Sequence, residues 1–296
     1  MLEGFICPDG QTIKVEDCLD TCRLGLRCQE KPDLYLMSQE REWTGTPSTT
    51  QLINGTMLEF LKLTQPYYVD PDRRVFMLQG TKNHELLDQA AKELGLASEI
   101  ALSIDRNILD YITWEGDKVS LIDRKWWGSY KVAKALGIVQ VGRQPDPSGA
   151  VYKTSGRWGK AGSPKMIAVF AAVPEKANNW EAELQLNNYR ILLFKAISLK
   201  IDEQYLRVVV RDGGLVSAKN KGVYRNSYRI DVPFLPDNKV EDYFEFKKAS
   251  LLSALANGEW QLPCTAEETW EGLRCEEWCE VWEHCPKGRL VHEIGG

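Results

Sequence analysis

Two strand-like runs joined by a tight turn constrain the fold of this chain more than any other feature. Residues 107–114 and 118–125 are rich in apolar and β-branched side chains, and Gly116-Asp117 between them is typical of a two-residue hairpin turn. If these two residues form the turn, Asp110 on the first strand lies directly opposite Asp123 on the second.

The predicted hairpin gathers charged groups at the end of an apolar sheet face. Lys125 follows Asp123 by two residues and therefore shares the face of Asp110 and Asp123. The apolar members of that face are Ile108, Ile112, Val119 and Leu121. Opposed carboxylates repel each other, and a divalent cation that bridges them removes this cost. Mg²⁺ and Mn²⁺ prefer oxygen ligands, so we predict a site for one of them here.

A bound divalent cation polarises a phosphoryl oxygen and lowers the pKa of a bound water. Lys125 would then hold the attacking water or offset charge on the phosphorane. An isolated Asp-x-Lys match is more often a solvated ion pair at a strand end, and similar matches occur at residues 237–239 and 245–247. The hairpin register and the flanking helices favour the catalytic interpretation.

Two predicted helices flank the hairpin. Residues 80–94 have helical apolar spacing, and we expect His84 in the first turn, after an Asn or Thr cap, as a metal ligand. Residues 178–197 form an amphipathic helix on which Gln185 and Tyr189, four residues apart, share one face. These two side chains would bind backbone near the site or a DNA phosphate. The alternatives are a structural histidine and two ordinary surface residues.

The order of these residues resembles the RecB-type branch of the PD-(D/E)XK nucleases. That branch includes the exonucleases of CRISPR adaptation and the AddB nuclease domain. It combines a helical His, a strand Asp, an Asp/Glu-x-Lys on the next strand and a Gln-x-x-x-Tyr helix. The matching residues are His84, Asp110, Asp123, Lys125, Gln185 and Tyr189. The resemblance covers roughly residues 45–260. The connection between Lys125 and Gln185 is longer than in the family.

The resemblance implies an α/β fold with a PD-(D/E)XK, restriction-endonuclease-like core, in which helices flank a mixed central sheet. It also implies metal-dependent cleavage of DNA. The metal ligands would be His84, Asp110, Asp123 and the backbone carbonyl of Arg124. Lys125, Asp123 and Asp110 would carry the catalysis, and Gln185 and Tyr189 would support it.

Eight cysteines lie in two terminal groups, with none between residues 28 and 264. In each group the cysteines are separated by ten, three and five residues. The groups are Cys7, Cys18, Cys22 and Cys28, and Cys264, Cys275, Cys279 and Cys285. Four thiolates suit a tetrahedral Zn²⁺ or a 4Fe-4S cluster. We therefore predict metal-binding segments at residues 1–44 and 261–296, on either side of a nuclease core at 45–260.

The alternative, a disulfide framework, is weaker because residues 1–4 do not open a secretion signal. Several RecB-type nucleases bind an iron–sulfur cluster with one cysteine before the core and three after it. Cys275, Cys279 and Cys285 resemble that triplet, and the fourth ligand would be Cys264 or an N-terminal cysteine. The N-terminal group looks more like a zinc site.

The distribution of charge favours a nucleic-acid partner although the net charge is −5. Residues 118–165 hold ten Lys and Arg residues against two acidic ones, interleaved with aromatic side chains. Such a stretch suits single-stranded nucleic acid. Residues 145–164 would form a mobile loop that contacts DNA, or a solvated loop with Trp126 and Trp127 in the core. The predicted DNA-binding residues are Lys131, Arg143, Lys153, Arg157, Trp158 and Lys160.

The longest apolar run, residues 166–173, predicts a buried central strand. No run approaches the ~20 apolar residues of a membrane span, so no membrane partner is expected. Alternating strands and helices indicate an α/β class. Further strands are predicted near 138–143, 205–212 and 227–234, and helices near 48–65, 129–136 and 239–256.

Together these patterns predict a Mg²⁺- or Mn²⁺-dependent DNA nuclease, an exonuclease in DNA repair, recombination or phage DNA metabolism. Its partner would be single-stranded DNA or duplex ends, in the cytoplasm of a bacterial or phage-infected cell, beside a helicase, an integrase or another replication or recombination protein. The alternatives are a nuclease-fold DNA-binding or assembly factor with weak or no cleavage, and a structure-specific endonuclease.

Overall fold

A computed structural model describes residues 1–102, 107–157, 159–260 and 262–295. It confirms the predicted α/β class. The strands are β1 (Leu2–Ile6), β2 (Thr12–Lys14), β3 (Tyr67–Val69), β4 (Ala97–Ala101), β5 (Ile108–Glu115), β6 (Lys118–Trp127), β7 (Ile138–Pro145), β8 (Met166–Ala172), β9 (Glu203–Val210) and β10 (Ser227–Asp231). The helices are α1 (Val15–Asp20), α2 (Lys31–Ser38), α3 (Thr49–Asn54), α4 (Thr56–Thr64), α5 (Pro71–Glu93), α6 (Ser129–Ala135), α7 (Trp180–Ile197), α8 (Val216–Lys219), α9 (Asp237–Asn257) and α10 (Pro286–Gly295).

The chain divides into two compact units. The first comprises Met1–Tyr111, Asn187–Lys200 and Leu235–Gly296, and the second comprises Ile112–Leu186 and Ile201–Phe234. Both cysteine groups therefore belong to the first unit. No helix in the described part of the chain has the length and apolar character that crossing a bilayer requires.

The first unit contains a small sheet that the sequence patterns did not predict. Its strand order is β2-β1-β3, in which β1 is antiparallel to β2 and parallel to β3. Strands β1 and β2 span five and three residues inside the cysteine-rich segment, too short to show a reliable period. The sheet fixes Cys7 directly after β1.

Local signals set the helices near the start of the core. Ser48 caps α3 in a reciprocal capping box with Gln51. Gly55, with a φ of 109°, separates α3 from α4, a conformation that a residue with a side chain rarely adopts. The predicted helix near 48–65 is therefore two short helices joined at Gly55.

Helix α5 begins earlier than predicted. Its cap is Asp70, which accepts a hydrogen bond from the Asp72 backbone N–H, and Pro71 occupies the first turn. The prediction of a start near residue 80, with His84 in the first turn, was therefore wrong: His84 lies well inside a 23-residue helix. The helix continues through Gly80, because a single glycine costs a helix only about 1 kcal/mol.

The larger sheet is mixed and flanked by helices, as predicted. Its strand order is β10-β9-β6-β5-β4. Strand β9 is antiparallel to β10 and parallel to β6, and the latter pairing runs from Ser120 opposite Glu203 to Trp127 opposite Val210. The predicted hairpin is present, because β5 and β6 are neighbours separated only by Gly116, whose φ is 61°, and Asp117.

The prediction of a buried central strand at residues 166–173 was wrong. Strand β8 pairs with β7 in a separate two-stranded sheet, and Met166 and Ile167 are exposed. An apolar run shows that a segment is strand-like, but it does not show what covers the strand. Three alanines in β8 also leave little apolar side chain to bury.

Buried polar contacts hold the C-terminal segment within the first unit. The Lys247 ammonium on α9 pairs with the Glu268 carboxylate, and both side chains are largely buried. The other Glu268 oxygen accepts a hydrogen bond of 2.9 Å from the Thr265 backbone N–H. The Arg274 guanidinium donates to the Asn54 backbone carbonyl at 2.7 Å. These contacts anchor the segment that carries the last four cysteines.

We predict that Lys247→Met lowers the free energy of unfolding by roughly 3–5 kcal/mol, because it leaves the Glu268 carboxylate buried without a counter-charge. Urea titration of the native and variant proteins measures the change. Lys195→Met is the matched control. Its more exposed pair with Glu241 of α9 likewise joins an ammonium to a carboxylate, and its loss costs below about 1 kcal/mol. Equal effects of the two substitutions would contradict the prediction.

Candidate metal centre

Three side chains of the first unit meet in one group: His84 from α5, Glu99 from β4 and Asp110 from β5. The His84 Nδ1 atom lies 3.5 Å from Asp110 Oδ1 and 3.8 Å from Glu99 Oε1. One potential ligand atom from each residue lies within 4.8 Å of the others. The structure thus brings together two residues predicted as ligands, and it adds a third.

Glu99 is the member that the sequence patterns missed. The only signal was a carboxylate inside the otherwise uncharged strand Ala97–Ala101. Its backbone φ of 46° lies in the left-handed region, where a residue with a side chain costs of order 1–3 kcal/mol. Burial, and to a lesser extent the nearby Asp88 carboxylate, raise the pKa of Glu99. Backbone strain and a half-buried carboxylate both mark this position as more than a surface acid.

The donor set fits a divalent cation. Two carboxylates match the preference of Mg²⁺ and Mn²⁺ for oxygen, and the imidazole nitrogen favours Mn²⁺ over Mg²⁺. About a third of the His84 and Glu99 side chains is exposed, so an ion can reach the group from solvent. Asp110 is more buried. A cation here would remove the repulsion between the two carboxylates.

Asp123 and Lys125 form a close ion pair on β6, within the second unit. The Lys125 Nζ atom lies 2.9 Å from Asp123 Oδ1 and 2.8 Å from Oδ2. The Asp123 side chain is only 3% exposed, so the ammonium group offsets a charge that water cannot reach. The group of three in the first unit does not include Asp123, whose predicted role as a metal ligand stays a prediction.

The other predicted support residues lie on α7 and β6. Tyr189 is buried and Gln185 is half-buried. Asn187, between them in sequence, is buried and accepts a hydrogen bond of 2.9 Å from the Leu235 backbone N–H, so it has a structural role. The Arg124 guanidinium lies over the Trp126 ring, at 5.8 Å from the centroid. Metal binding by the Arg124 carbonyl stays a prediction.

The four N-terminal cysteines line one small cavity, together with side chains that include Arg23 and Arg27. Cys18 lies on α1, whose C-terminal carbonyls accept hydrogen bonds from the Arg27 guanidinium. Burial, and then the neighbouring Cys28 and Cys7, raise the pKa of Cys18. The spacing of this group therefore corresponds to a common cavity in the fold.

The four C-terminal cysteines line a second cavity, which also includes Met57, Leu58 and Leu61 of α4. Cys264 is thus a neighbour of the later three cysteines. Burial, followed by the Glu268 carboxylate, raises the pKa of Cys264 to about 12. Burial and the nearby Cys275 raise the pKa of Cys279 to about 11. Such thiols become thiolates readily only when a metal ion compensates the charge.

Both cysteine cavities fit a metal. All eight cysteines lie in the described part of the chain, and none forms a disulfide. Each cavity has a volume of about 20 Å³, room for a particle the size of a water molecule or a metal ion. The four N-terminal cysteines, and the four C-terminal ones, could each hold Zn²⁺ or, with some outward movement of the thiols, a 4Fe-4S cluster.

The predicted DNA-binding residues all belong to the second unit. Lys131 pairs with Glu181 at 2.8 Å and lies over the Trp127 ring. The Arg143 guanidinium donates to the Met166 backbone carbonyl at 3.3 Å. Lys153, Arg157 and Lys160 are exposed. Trp158 lies outside the described residues. Trp126 and Trp127 are half-buried, between the two predicted alternatives of core and surface.

Comparisons with known proteins give little guidance. No protein-family model matches the chain, and no curated protein matches it. A solved structure titled "Crystal structure of SSO0001" is similar with a TM-score of 0.40 and 13% sequence identity, over 87% of this chain and 94% of that chain. A likeness this weak supports no conclusion about fold or function.

We predict that Mn²⁺ raises the thermal unfolding midpoint by several degrees, because a ligand that binds only the folded state stabilises it. Asp110→Asn and Glu99→Gln should each remove most of the rise, which differential scanning fluorimetry measures. Glu85→Gln is the matched control, since this exposed carboxylate neighbours His84 in sequence and lies outside the group. An unchanged rise in Asp110→Asn would exclude the group as the Mn²⁺ site.

We predict that the two cysteine cavities load independently. Cys18→Ser should remove the metal of the N-terminal cavity and leave the other, and Cys275→Ser should do the reverse. Elemental analysis for zinc and iron, with an assay for acid-labile sulfide, identifies what each cavity holds. Loss of both metals from either single variant would show that the eight cysteines do not form two separate sites.

Proposed function

We propose that this protein is a Mg²⁺- or Mn²⁺-dependent deoxyribonuclease of the PD-(D/E)XK type, acting as an exonuclease. The observation that carries the proposal is the group formed by His84, Glu99 and Asp110. A helical His and a strand Asp, selected from the sequence as metal ligands, lie 3.5 Å apart. Glu99 gives the donor set a second carboxylate. A divalent cation site has a use for this second charge, whereas a histidine with a structural role does not.

The bound cation would polarise the scissile phosphate and lower the pKa of a bound water. His84, Glu99 and Asp110 would hold it. Lys125 would orient the attacking water or stabilise the charge that develops on the phosphorane. Its close contact with Asp123 keeps the ammonium group in one place, which such a role requires.

The substrate in this proposal is DNA, as single strands or as duplex ends. The support is electrostatic. Residues 138–172 contain five Lys and Arg residues and one acidic residue, Asp146, in a chain of net charge −5. Phosphate contacts by Lys and Arg supply most of the non-specific affinity of a protein for DNA.

The test is cleavage of end-labelled linear DNA and of circular DNA, each single- and double-stranded, with Mg²⁺, Mn²⁺ or EDTA. We expect metal-dependent loss of linear DNA, reduced roughly 100-fold or more in Asp110→Asn and in Lys125→Ala. Glu85→Gln should retain native activity. Circular dichroism verifies that each variant is folded, because Lys125→Ala removes the counter-charge of a buried carboxylate.

Each other outcome points away from the proposal. Equal cleavage by native protein, Asp110→Asn and Lys125→Ala would indicate a contaminating nuclease. Efficient cleavage of circular DNA would identify an endonuclease. Absence of cleavage by metal-loaded protein would leave a DNA-binding or assembly role.

A further inference from the structure

The second unit carries a long antiparallel hairpin, which we call the arm: residues 138–172, made of β7, β8 and the segment between them. Pairing continues beyond the strands. The Asp146 backbone N–H donates to the Lys165 carbonyl at 2.7 Å, and isolated bridges join Val151 to Pro164 and Gly156 to Gly159. The segment predicted as a loop is therefore joined across by backbone hydrogen bonds as far as the bridge of Gly156 to Gly159.

Both faces of the arm are open to solvent. In antiparallel pairing, neighbouring pairs point to opposite faces of the ribbon. Gln144 opposite Ile167 and Pro145 opposite Met166 are such neighbours, and all four residues are exposed. A sheet that packs on a core has at least one buried face. The described part of the arm therefore has no packed face beyond its base.

The base of the arm is tightly packed. The Val173 backbone N–H donates to the Gly137 carbonyl at 2.9 Å, and a side chain at Gly137 would collide with the Val173 carbonyl. A Cβ atom at Gly222 would come within 2.6 Å of Ile138 and of Phe170. These contacts explain how an otherwise uncovered hairpin, which is marginal on its own, keeps its form. Close contacts therefore fix the base of the arm.

The charge of the arm is one-sided. It contains five basic residues and one acid, a balance of +4. The acid, Asp146, accepts a hydrogen bond from the Ser148 backbone N–H and so is used within a local turn. The five basic residues are all exposed: Arg143, Lys153, Arg157, Lys160 and Lys165. An exposed cationic ribbon on an acidic protein has a polyanion as its complementary partner.

We propose that the arm binds duplex DNA by lying in its major groove. The identity of the polyanion rests on the proposed function. Two strands about 5 Å apart fit a groove about 12 Å wide, which admits a two-stranded ribbon. Eight residues of β7 extend roughly 26 Å, so the arm is long enough to follow the groove past several phosphates.

The single-stranded partner expected from the sequence fits this surface less well. Binding of single strands depends on aromatic faces that are available for stacking. One described aromatic of the outer arm, Tyr152, has its ring packed against Gly159, where an added Cβ would lie 2.4 Å from the ring. The exposed Lys153, Lys160 and Lys165 can contact phosphates instead. The arm therefore favours a duplex whose groove can take its width.

The test compares binding of native protein and of the triple variant Lys153→Gln, Lys160→Gln, Lys165→Gln. These substitutions keep the backbone pairing of the arm. The matched control replaces three exposed lysines elsewhere: Lys14→Gln, Lys200→Gln, Lys239→Gln. Fluorescence anisotropy on a labelled DNA duplex, a single strand of the same length and an RNA duplex, all without added Mg²⁺ or Mn²⁺ across a salt series, gives the affinities without cleavage.

We expect the arm variant to lose roughly tenfold in duplex DNA affinity at about 0.1 M salt, and the slope of log K against log salt to fall by about 2–3, one contact per lysine. The control should change less than twofold. Single strands should lose little, and so should the RNA duplex, whose major groove is too narrow to enter.

Two results would overturn the proposal: duplex DNA affinity equal in arm variant and native protein, or losses of the same size on all three nucleic acids. Because binding is measured without added Mg²⁺ or Mn²⁺, these results are independent of the nuclease assay. Metal-dependent cleavage by the native protein, together with unchanged duplex binding by the arm variant, would refute only the proposed role of the arm. Loss of duplex binding in the arm variant, together with no cleavage by the native protein, would refute only the proposed nuclease activity.

Discussion

Water cannot reach a charged side chain on a strand that is buried on both faces. Strand β6 is such a strand, and it carries a carboxylate. Its residues 119–123 are all buried, and the last of them is Asp123. The carboxylate is tolerated because Lys125, two residues further on the same face, reaches it with its ammonium group. Strand β9 pairs in parallel beside β6 and thereby fixes the position of both residues. The charge pair is thus a consequence of the central place of β6 in the sheet.

The metal-binding candidate in the first unit follows a different principle. Its three members come from a helix and two strands, and none of them neighbours another in sequence. Glu99 adopts a strained backbone conformation, which persists only where the surrounding structure determines it. Two carboxylates at short distance repel each other, and burial beside an imidazole removes water from them. A shared cation or proton relieves both effects. The same contacts that cost stability in the absence of an ion would favour binding of one.

The two cysteine cavities and the arm show how this chain uses segments that have little regular core of their own. Each set of four thiols surrounds a cavity, and the C-terminal segment is further held by the buried Lys247–Glu268 pair. The arm is held at its base by close contacts at Gly137 and Gly222. Buried polar contacts and glycine-enabled close approach replace the apolar packing that stabilises the sheet.

The sequence by itself determined what depends on neighbours along the chain. The hairpin follows from Gly116-Asp117, the capping box from Ser48 and Gln51, and the two cysteine groups from their spacing. Only the tertiary structure decided which strands are covered and which carboxylates meet. Met166 and Ile167 of the apolar β8 are exposed, and Glu99 joins His84 and Asp110. The physical reason is that burial and long-range contact depend on elements distant in sequence, and no local pattern encodes them.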